Sequence, residues 1–489
     1  MTDNLAQALA LLDTWAAHSA AQQRVPGVAL AVVQGERPVL TRAYGFADLQ
    51  SRTPATPQTP YKIGSLTKSF TALAVLQLVE DGKLRLDDRF GDHVPAAMHG
   101  PVPAEVTVRQ LLAHTSGLQR DLPGTMWSAP AFPAALPGDF SATFPSGTQW
   151  KYSNVGYALL GELIAAAGGE PWARHLERRI LAPLGMSSTQ TTPRVDDPRL
   201  ATGYSRPAVG ADHAPARQAD HGAMRPAGGM ASTAEDMARY VAFHLGAVEG
   251  VLGARLLREM HRPQWLFEDW QSAWGLGVQV RRADGRVRVG HPGSTPGFSA
   301  LMEFIPALKL GVVVLTNADD GNPAAFCDYA LQLLAPIVAK EIARAAPALP
   351  ADAARYCGLY RSENRNLTMF VAMLDGQLTL VPPGAPNPHA ARVILEPTPE
   401  PHVFVMRSSG AFATLHFGER LEFTVAPGGE VTGYDMGSSA RFVREPALIQ
   451  TLYSGADRRG TRTDRRRYPP PPYAGVERRS GIDRRLLMH

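Results

Sequence analysis

Three short groups of residues have the types and spacing that chemistry would need. Ser65-Leu66-Thr67-Lys68 places an amine three residues from a hydroxyl, on one face if a helix begins at Ser65. A Lys withdrawn from water loses its proton more readily and can act as base toward the serine. The chain uses 43 Arg but only 6 Lys, and a guanidinium that stays protonated cannot replace such a base. Tyr152-Ser153-Asn154 supplies a phenol that can shuttle a proton and an amide that can hold a substrate carbonyl beside the Lys. Gly290-His291-Pro292-Gly293-Ser294 leads into an apolar strand, where glycine permits close backbone approach and a backbone N–H can serve an oxyanion. Each group alone has a plainer reading: a helix cap, a turn, and a loop with a surface histidine.

The surrounding pattern must position these groups. An amphipathic helix is predicted over 5–22, a core strand over 25–33 and its hairpin partner over 39–44. From Ser65 the residues are apolar on most sides as far as Gly82, which implies a buried helix. Residues 83–275 alternate helical patches with Pro/Gly-rich stretches such as 123–137 and 193–226. Apolar helices stand out at 155–167 and 233–245. Strands return at 277–282, 300–305 and 311–316, followed by a helix over 324–345. Strands at both ends of a helical middle predict an antiparallel sheet completed by distant segments, with an all-helical region. After a linker at 346–350, short strands at 367–371, 377–381, 402–406, 414–417, 421–425 and 440–443 predict a small β-barrel or sandwich over 351–454. The stretch 455–489, with its proline run and Arg pairs, lacks core-forming residues and is predicted to be disordered.

The order Ser-x-x-Lys, Tyr-x-Asn, His-x-Gly resembles the three motifs of the serine β-lactamase/penicillin-binding-protein superfamily. The likeness is to its class C β-lactamase and D-stereospecific peptidase branch. Segments 108–118 (VRQLLAHTSGL), 144–154 (FPSGTQWKYSN) and 226–233 (PAGGMAST) match family landmarks, and the resemblance covers about residues 10–345. It implies an α/β (α+β) fold, an antiparallel sheet flanked by helices with an all-helical region. It also implies Ser65 as acylated nucleophile, Lys68 as its base and Tyr152 as proton relay. Asn154 and His291 would contact substrate, and the N–H groups of Ser65 and Ser294, beside Gly293, would form the oxyanion hole. His291 stands where β-lactamases of this type have Lys. A histidine is mostly neutral at pH 7, which favours peptidase, amidase or esterase activity over β-lactam hydrolysis. The region from Tyr356 resembles lipocalin-like domains appended to such hydrolases.

Composition narrows the alternatives. With 45% hydrophobic and 19% charged residues in 489, the chain is globular, with a sizeable core. Its net charge of +4 comes from the tail, where ten Arg face four acids, and the body is close to neutral. Such a body is not a nucleic-acid surface. An Arg-rich arm binding RNA, DNA or an acidic membrane is the reading that would make the tail the functional part. Two Cys form neither a disulfide framework nor a zinc site. No cofactor is expected. No window suits a membrane span, and the N-terminus lacks an export signal. That predicts a cytoplasmic protein, or a periplasmic one if the start lies elsewhere. The leading reading is a serine hydrolase acting through an acyl-enzyme on a small-molecule or short peptide substrate. The alternatives are a true β-lactamase and a non-catalytic scaffold or binding protein of the same fold. Oligomeric state is left open.

Overall fold

Two apolar runs long enough to be buried on both faces make the central strand pair. They lie in a computed structural model that describes residues 2–95, 102–121, 142–206, 212–217, 220–246, 250–345, 348–363, 367–383, 387, 391–407, 417–437 and 441–445. The chain divides into two compact units, Met1–Arg344 and Ala345–His489.

The first unit opens with helix α1 (Asp3–Gln22) and strands β1 (Gly27–Gln34), β2 (Arg37–Asp48), β3 (Thr53–Pro54) and β4 (Tyr61–Lys62). Helices α2 (Thr67–Glu80), α3 (Val108–Leu112), α4 (Asn154–Gly168) and α5 (Trp172–Leu176) follow. Then come β5 (Tyr204–Ser205), β6 (Ala214–Pro215), α6 (Arg225–Gly228), β7 (Ala231–Ser232), α7 (Ala234–His244) and α8 (Ala254–His261). The unit closes with β8 (Trp265–Leu266), β9 (Ser272–Trp274), β10 (Gln279–Ala283), β11 (Arg286–Thr295), β12 (Phe298–Ile305), β13 (Leu310–Thr316) and α9 (Pro323–Ala345). Nine strands form one antiparallel sheet in the order β3-β2-β1-β13-β12-β11-β10-β9-β8. The pairing of β1 with β13, Val28 opposite Thr316, joins the two ends of the unit, as the separated strand patterns require.

Period-two alternation divides β1 between two cores. Ala29, Ala31 and Val33 join the helical region built on α2, α4 and α7. Val28, Leu30 and Val32 pack with Leu9, Leu12, Phe326, Leu331 and Leu334 of α1 and α9. Helix α2 is buried at every residue from Thr67 to Leu78, which explains why its sequence has almost no polar face. On the sheet, Arg288 is 2% exposed and donates to Glu303 (3.0 Å) and Asp328 (2.7 Å), tying β11 to β12 and α9. A buried guanidinium is tolerable only with such partners.

The second unit is a closed barrel of eight strands, each paired with its sequence neighbours. They are β14 (Gly358–Ser362), β15 (Thr368–Leu374), β16 (Gln377–Val381), β17 (Val393–Pro397), β18 (Val403–Arg407), β19 (Arg420–Val425), β20 (Val431–Asp435) and β21 (Arg441–Arg444). Its core holds Tyr356, Tyr360, Phe404, Phe423, Tyr434 and Phe442, all at most 2% exposed. Strands β14, β17 and β20 were absent from the sequence expectation. The strand expected at 414–417 falls almost wholly outside the described residues, as do the tail 455–489 and the stretch 123–137. Cys327 and Cys357 are free thiols. Among the described residues no helix is long and apolar enough to cross a membrane.

Candidate active site

Ser65 lies in a 3-10 turn, Gly64–Leu66, that runs directly into α2. The turn needs Gly64, whose φ is +50° and whose absent Cβ would stand 2.6 Å from the Ser294 amide nitrogen. Lys68 is 0% exposed. Its Nζ lies 3.2 Å from Ser65 Oγ, 2.7 Å from Asn154 Oδ1 and 2.6 Å from the carbonyl oxygen of Ala227. Burial drives the Lys68 pKa well below the ordinary 10.5, with Asp121 opposing and Arg120 assisting. A neutral amine has two N–H groups and one lone pair. Asn154 Oδ1 and the Ala227 carbonyl can only accept, so they take both N–H groups. The lone pair is then left for the Ser65 hydroxyl.

Tyr152 and Asn154 are set by the start of α4. Ser153 is the N-cap, its Oγ accepting from the Gly156 N–H at 3.0 Å and donating to the Gln119 carbonyl at 2.7 Å. Asn154 thus becomes the first helical residue. Its Nδ2 donates to Asp121 Oδ1 at 2.8 Å, which fixes Oδ1 toward Lys68. The Tyr152 phenol hydrogen-bonds to Ser65, and burial, the largest influence, raises its pKa so that it stays protonated. Lys68 Nζ sits 4.7 Å from the centre of its ring.

The third motif departs from the plainer reading of a loop. It occupies the second half of β11, where His291, Gly293 and Thr295 are buried while Pro292 and Ser294 are exposed. His291 is 1% exposed, with Nδ1 2.5 Å from the carbonyl oxygen of Pro292. Burial, then the Lys68 charge, push its pKa down to about 3 against the bond to Pro292. The imidazole is therefore neutral at ordinary pH and is not a surface histidine.

A cavity of about 320 Å³ opens over Ser65 and is lined by Arg120, Asp121, Asn154, His221 and Ser294, among others. His291 packs instead against Tyr152 (6.3 Å between ring centres) and Trp274 (5.3 Å). Asp121, Asp220 and His221 also line the cavity, and nothing in their sequence surroundings singles them out. His221 donates or accepts at Thr295 Oγ1 (3.0 Å), and burial lowers its pKa to about 4. His114 was visible only as a letter in the 108–118 segment.

Fold and site together are those of a serine hydrolase built on the β-lactamase fold. The chain belongs to the beta-lactamase family, whose family model matches residues 12–336. It is 29% identical over 364 residues to penicillin-binding protein 4 of Amycolatopsis lactamdurans, a match covering 70% of this chain and 94% of that protein. It is 26% identical over 317 residues to protein flp of Staphylococcus aureus (strain COL), covering 63% of this chain and 62% of that one. An octameric penicillin-binding protein homologue from Pyrococcus abyssi superposes with a TM-score of 0.60 at 25% identity, covering 89% of this chain and 99% of its own. A class C beta-lactamase shares the fold with a TM-score of 0.58 at 24% identity, covering 67% and 96%.

Proposed function

We propose that the chain hydrolyses an amide or ester of D-aminopeptidase, D,D-carboxypeptidase or esterase type through an acyl-enzyme on Ser65. The observation that carries this is the buried Lys68 amine, 3.2 Å from Ser65 Oγ with both its N–H groups committed elsewhere. Lys68 takes the hydroxyl proton as Oγ attacks the carbonyl carbon. The N–H groups of Ser65 and Ser294 receive the oxyanion. The Tyr152 phenol passes a proton to the leaving group, and Asn154 holds the substrate carbonyl. Water then attacks the acyl-enzyme by the reverse sequence. With His291 neutral, the third motif supplies no charge to anchor a substrate carboxylate, and the Arg120 guanidinium on the cavity wall already faces Asp121 at 3.4 Å, so a neutral ester or amide suits the site better than a β-lactam.

The test is intact-mass analysis after treatment with a serine-reactive phosphonate, alongside turnover of a panel of D-aminoacyl esters. One adduct should form, be lost in Ser65→Ala, and turnover should fall about 10⁴-fold or more. Undiminished turnover in folded Ser65→Ala would refute the reading.

A further inference from the structure

The segment 221–230 meets the proposed site at two places. Toward its end the Ala227 carbonyl accepts from Lys68 Nζ at 2.6 Å. Two further bonds seat this stretch on α2. Thr71 Oγ1 donates to the Pro226 carbonyl at 2.7 Å, and the Met230 N–H donates to Thr67 Oγ1 at 3.2 Å. At its start His221, 7% exposed, reaches Thr295 Oγ1 at 3.0 Å. Thr295 is 8% exposed and is the last residue of β11. This bond therefore joins the segment that holds the base to the strand that carries the third motif.

Local contacts fix the imidazole in the cavity wall. Asp220 Oδ1 accepts from the Gly222 N–H at 3.0 Å, and the His221 carbonyl accepts from the Met224 N–H at 2.8 Å. The Asp220–Arg225 ion pair, at 2.8 Å, closes the same turn. A Cβ on Gly228 would lie 3.9 Å from His221 Cδ2 and 3.7 Å from the Gly64 carbonyl carbon. The ring thus stands beside the turn that carries Ser65.

Period-two alternation puts Gly293 and Thr295 on the buried face of β11, with Ser294 between them. The contact at Gly293 is steric, since a Cβ there would stand 2.0 Å from the Ile63 carbonyl oxygen. Repulsion keeps the strand from coming nearer to Ser65 but does not keep it from receding. The bond at Thr295 is attractive and acts one residue after Ser294. In the turn beyond, the Gly297 N–H donates to Asp319 Oδ1 at 2.7 Å and its carbonyl accepts from the Tyr204 N–H at 3.2 Å. Those bonds lead away from the base, and the His221 bond leads to it. We infer that His221 is a positioning residue whose bond to Thr295 holds the Ser294 N–H where it and the Ser65 N–H meet one oxyanion. The inference rests on the hydrolase reading above and adds to it that one segment holds both the base and the oxyanion donor.

Steady-state kinetics on the full chain with a small ester, beside Tm, tests it. Thr295→Val is nearly isosteric and removes the hydroxyl, Thr295→Ser keeps it, and His221→Ala removes the same bond from the other side. Misplacing a reacting group by about 1 Å can cost up to about 10²-fold in rate. Thr295→Val should lower kcat about tenfold with KM within about twofold, because the oxyanion exists only beyond the ground state. Thr295→Ser should stay within about twofold of wild type. His221→Ala should lose about as much as Thr295→Val, and the double variant no more than either, because both remove one interaction. Equal kcat in folded Thr295→Val and Thr295→Ser, a loss confined to KM, or losses that multiply in the double variant would overturn the role. If His221→Ala does not fold, the Val and Ser variants of Thr295 decide alone. A wild-type chain that neither reacts with phosphonate nor turns over esters would sink the hydrolase reading and this role together. An active wild type with unimpaired Thr295→Val would sink the role alone.

Discussion

Gly293 and Ile63 are so close that a Cβ on Gly293 would stand 2.0 Å from the Ile63 carbonyl oxygen. The strand carrying the third motif is thereby pressed against the turn carrying Ser65. Gly64 meets the Ser294 amide from the other side of the same contact. Two residues without side chains, far apart in sequence, set the spacing between the proposed nucleophile and the proposed oxyanion donor.

Gly293→Ala should force β11 away from Ser65. Loss of one oxyanion donor typically costs about 10²- to 10³-fold in kcat. A fall of about 10²-fold for a small ester is expected, with a lowered Tm from the clash. Gly428→Ala, where nothing lies within 4 Å of the added Cβ, is the control and should change neither. Normal kcat in folded Gly293→Ala would show that the contact does not set the donor.

Lys68 should appear in the pH profile as a base. The neutral amine is the active form, so kcat/KM for a non-titrating ester should rise with pH through the folded-state pKa and stay flat above it. Burial places that limb well below 10.5. Lys68→Arg should lose about 10³-fold, because the guanidinium keeps its proton. A rate that climbs only near pH 10 would mean that Lys68 is not desolvated in solution.

The motifs were legible because chemistry restricts residue type: the Ser65–Lys68 spacing, the Tyr152-Ser153-Asn154 group and the strands 25–33 and 311–316 are local patterns. What stayed hidden depends on long-range pairing. Strand β11 carries Arg288, Gly290, His291 and Pro292, none of which reads as a core strand residue. Arg288 is buried only because Glu303 and Asp328 meet it, and Gly290 because a Cβ would clash with the Met302 carbonyl. The plainer reading of the motif, a loop with a surface histidine, therefore fits these residue types as well as a buried strand does. Asp121 could not be tied to Asn154, since nothing in a loop aspartate announces its partner 33 residues away. In the barrel, β17 leaves only four residues before its terminal Pro397, and Gly433 interrupts the alternation of β20 on which strand recognition relies.

His291 should contribute no titration to the activity between pH 5 and 9, since its pKa lies near 3. His291→Lys would put an ammonium beside Tyr152 in a site only 1% exposed. The fold should lose stability through desolvation, and carboxylate-bearing substrates should gain. The ratio of kcat/KM for a cephalosporin to that for a neutral ester should rise about tenfold. An unchanged ratio would mean that the third motif acts through its backbone alone.

Buried neutral histidines should make the fold acid-labile above the carboxylate range. Burial is the largest influence lowering the pKa of His291 to about 3 and of His221 and His175 to about 4, and it drives His114 and His244 well below 6.5. As pH falls below 6.5 the unfolded chain takes up protons at these positions and the folded chain does not. Stability is therefore fully present above 6.5. It declines by about 1.4 kcal/mol per pH unit for each group, levelling off only near each folded pKa. Tm should fall steadily from pH 6.5 to 4.5, with calorimetric unfolding at pH 5 taking up about three protons or more. A Tm that is flat from pH 7 to 5 would show that these rings reach water in the folded state.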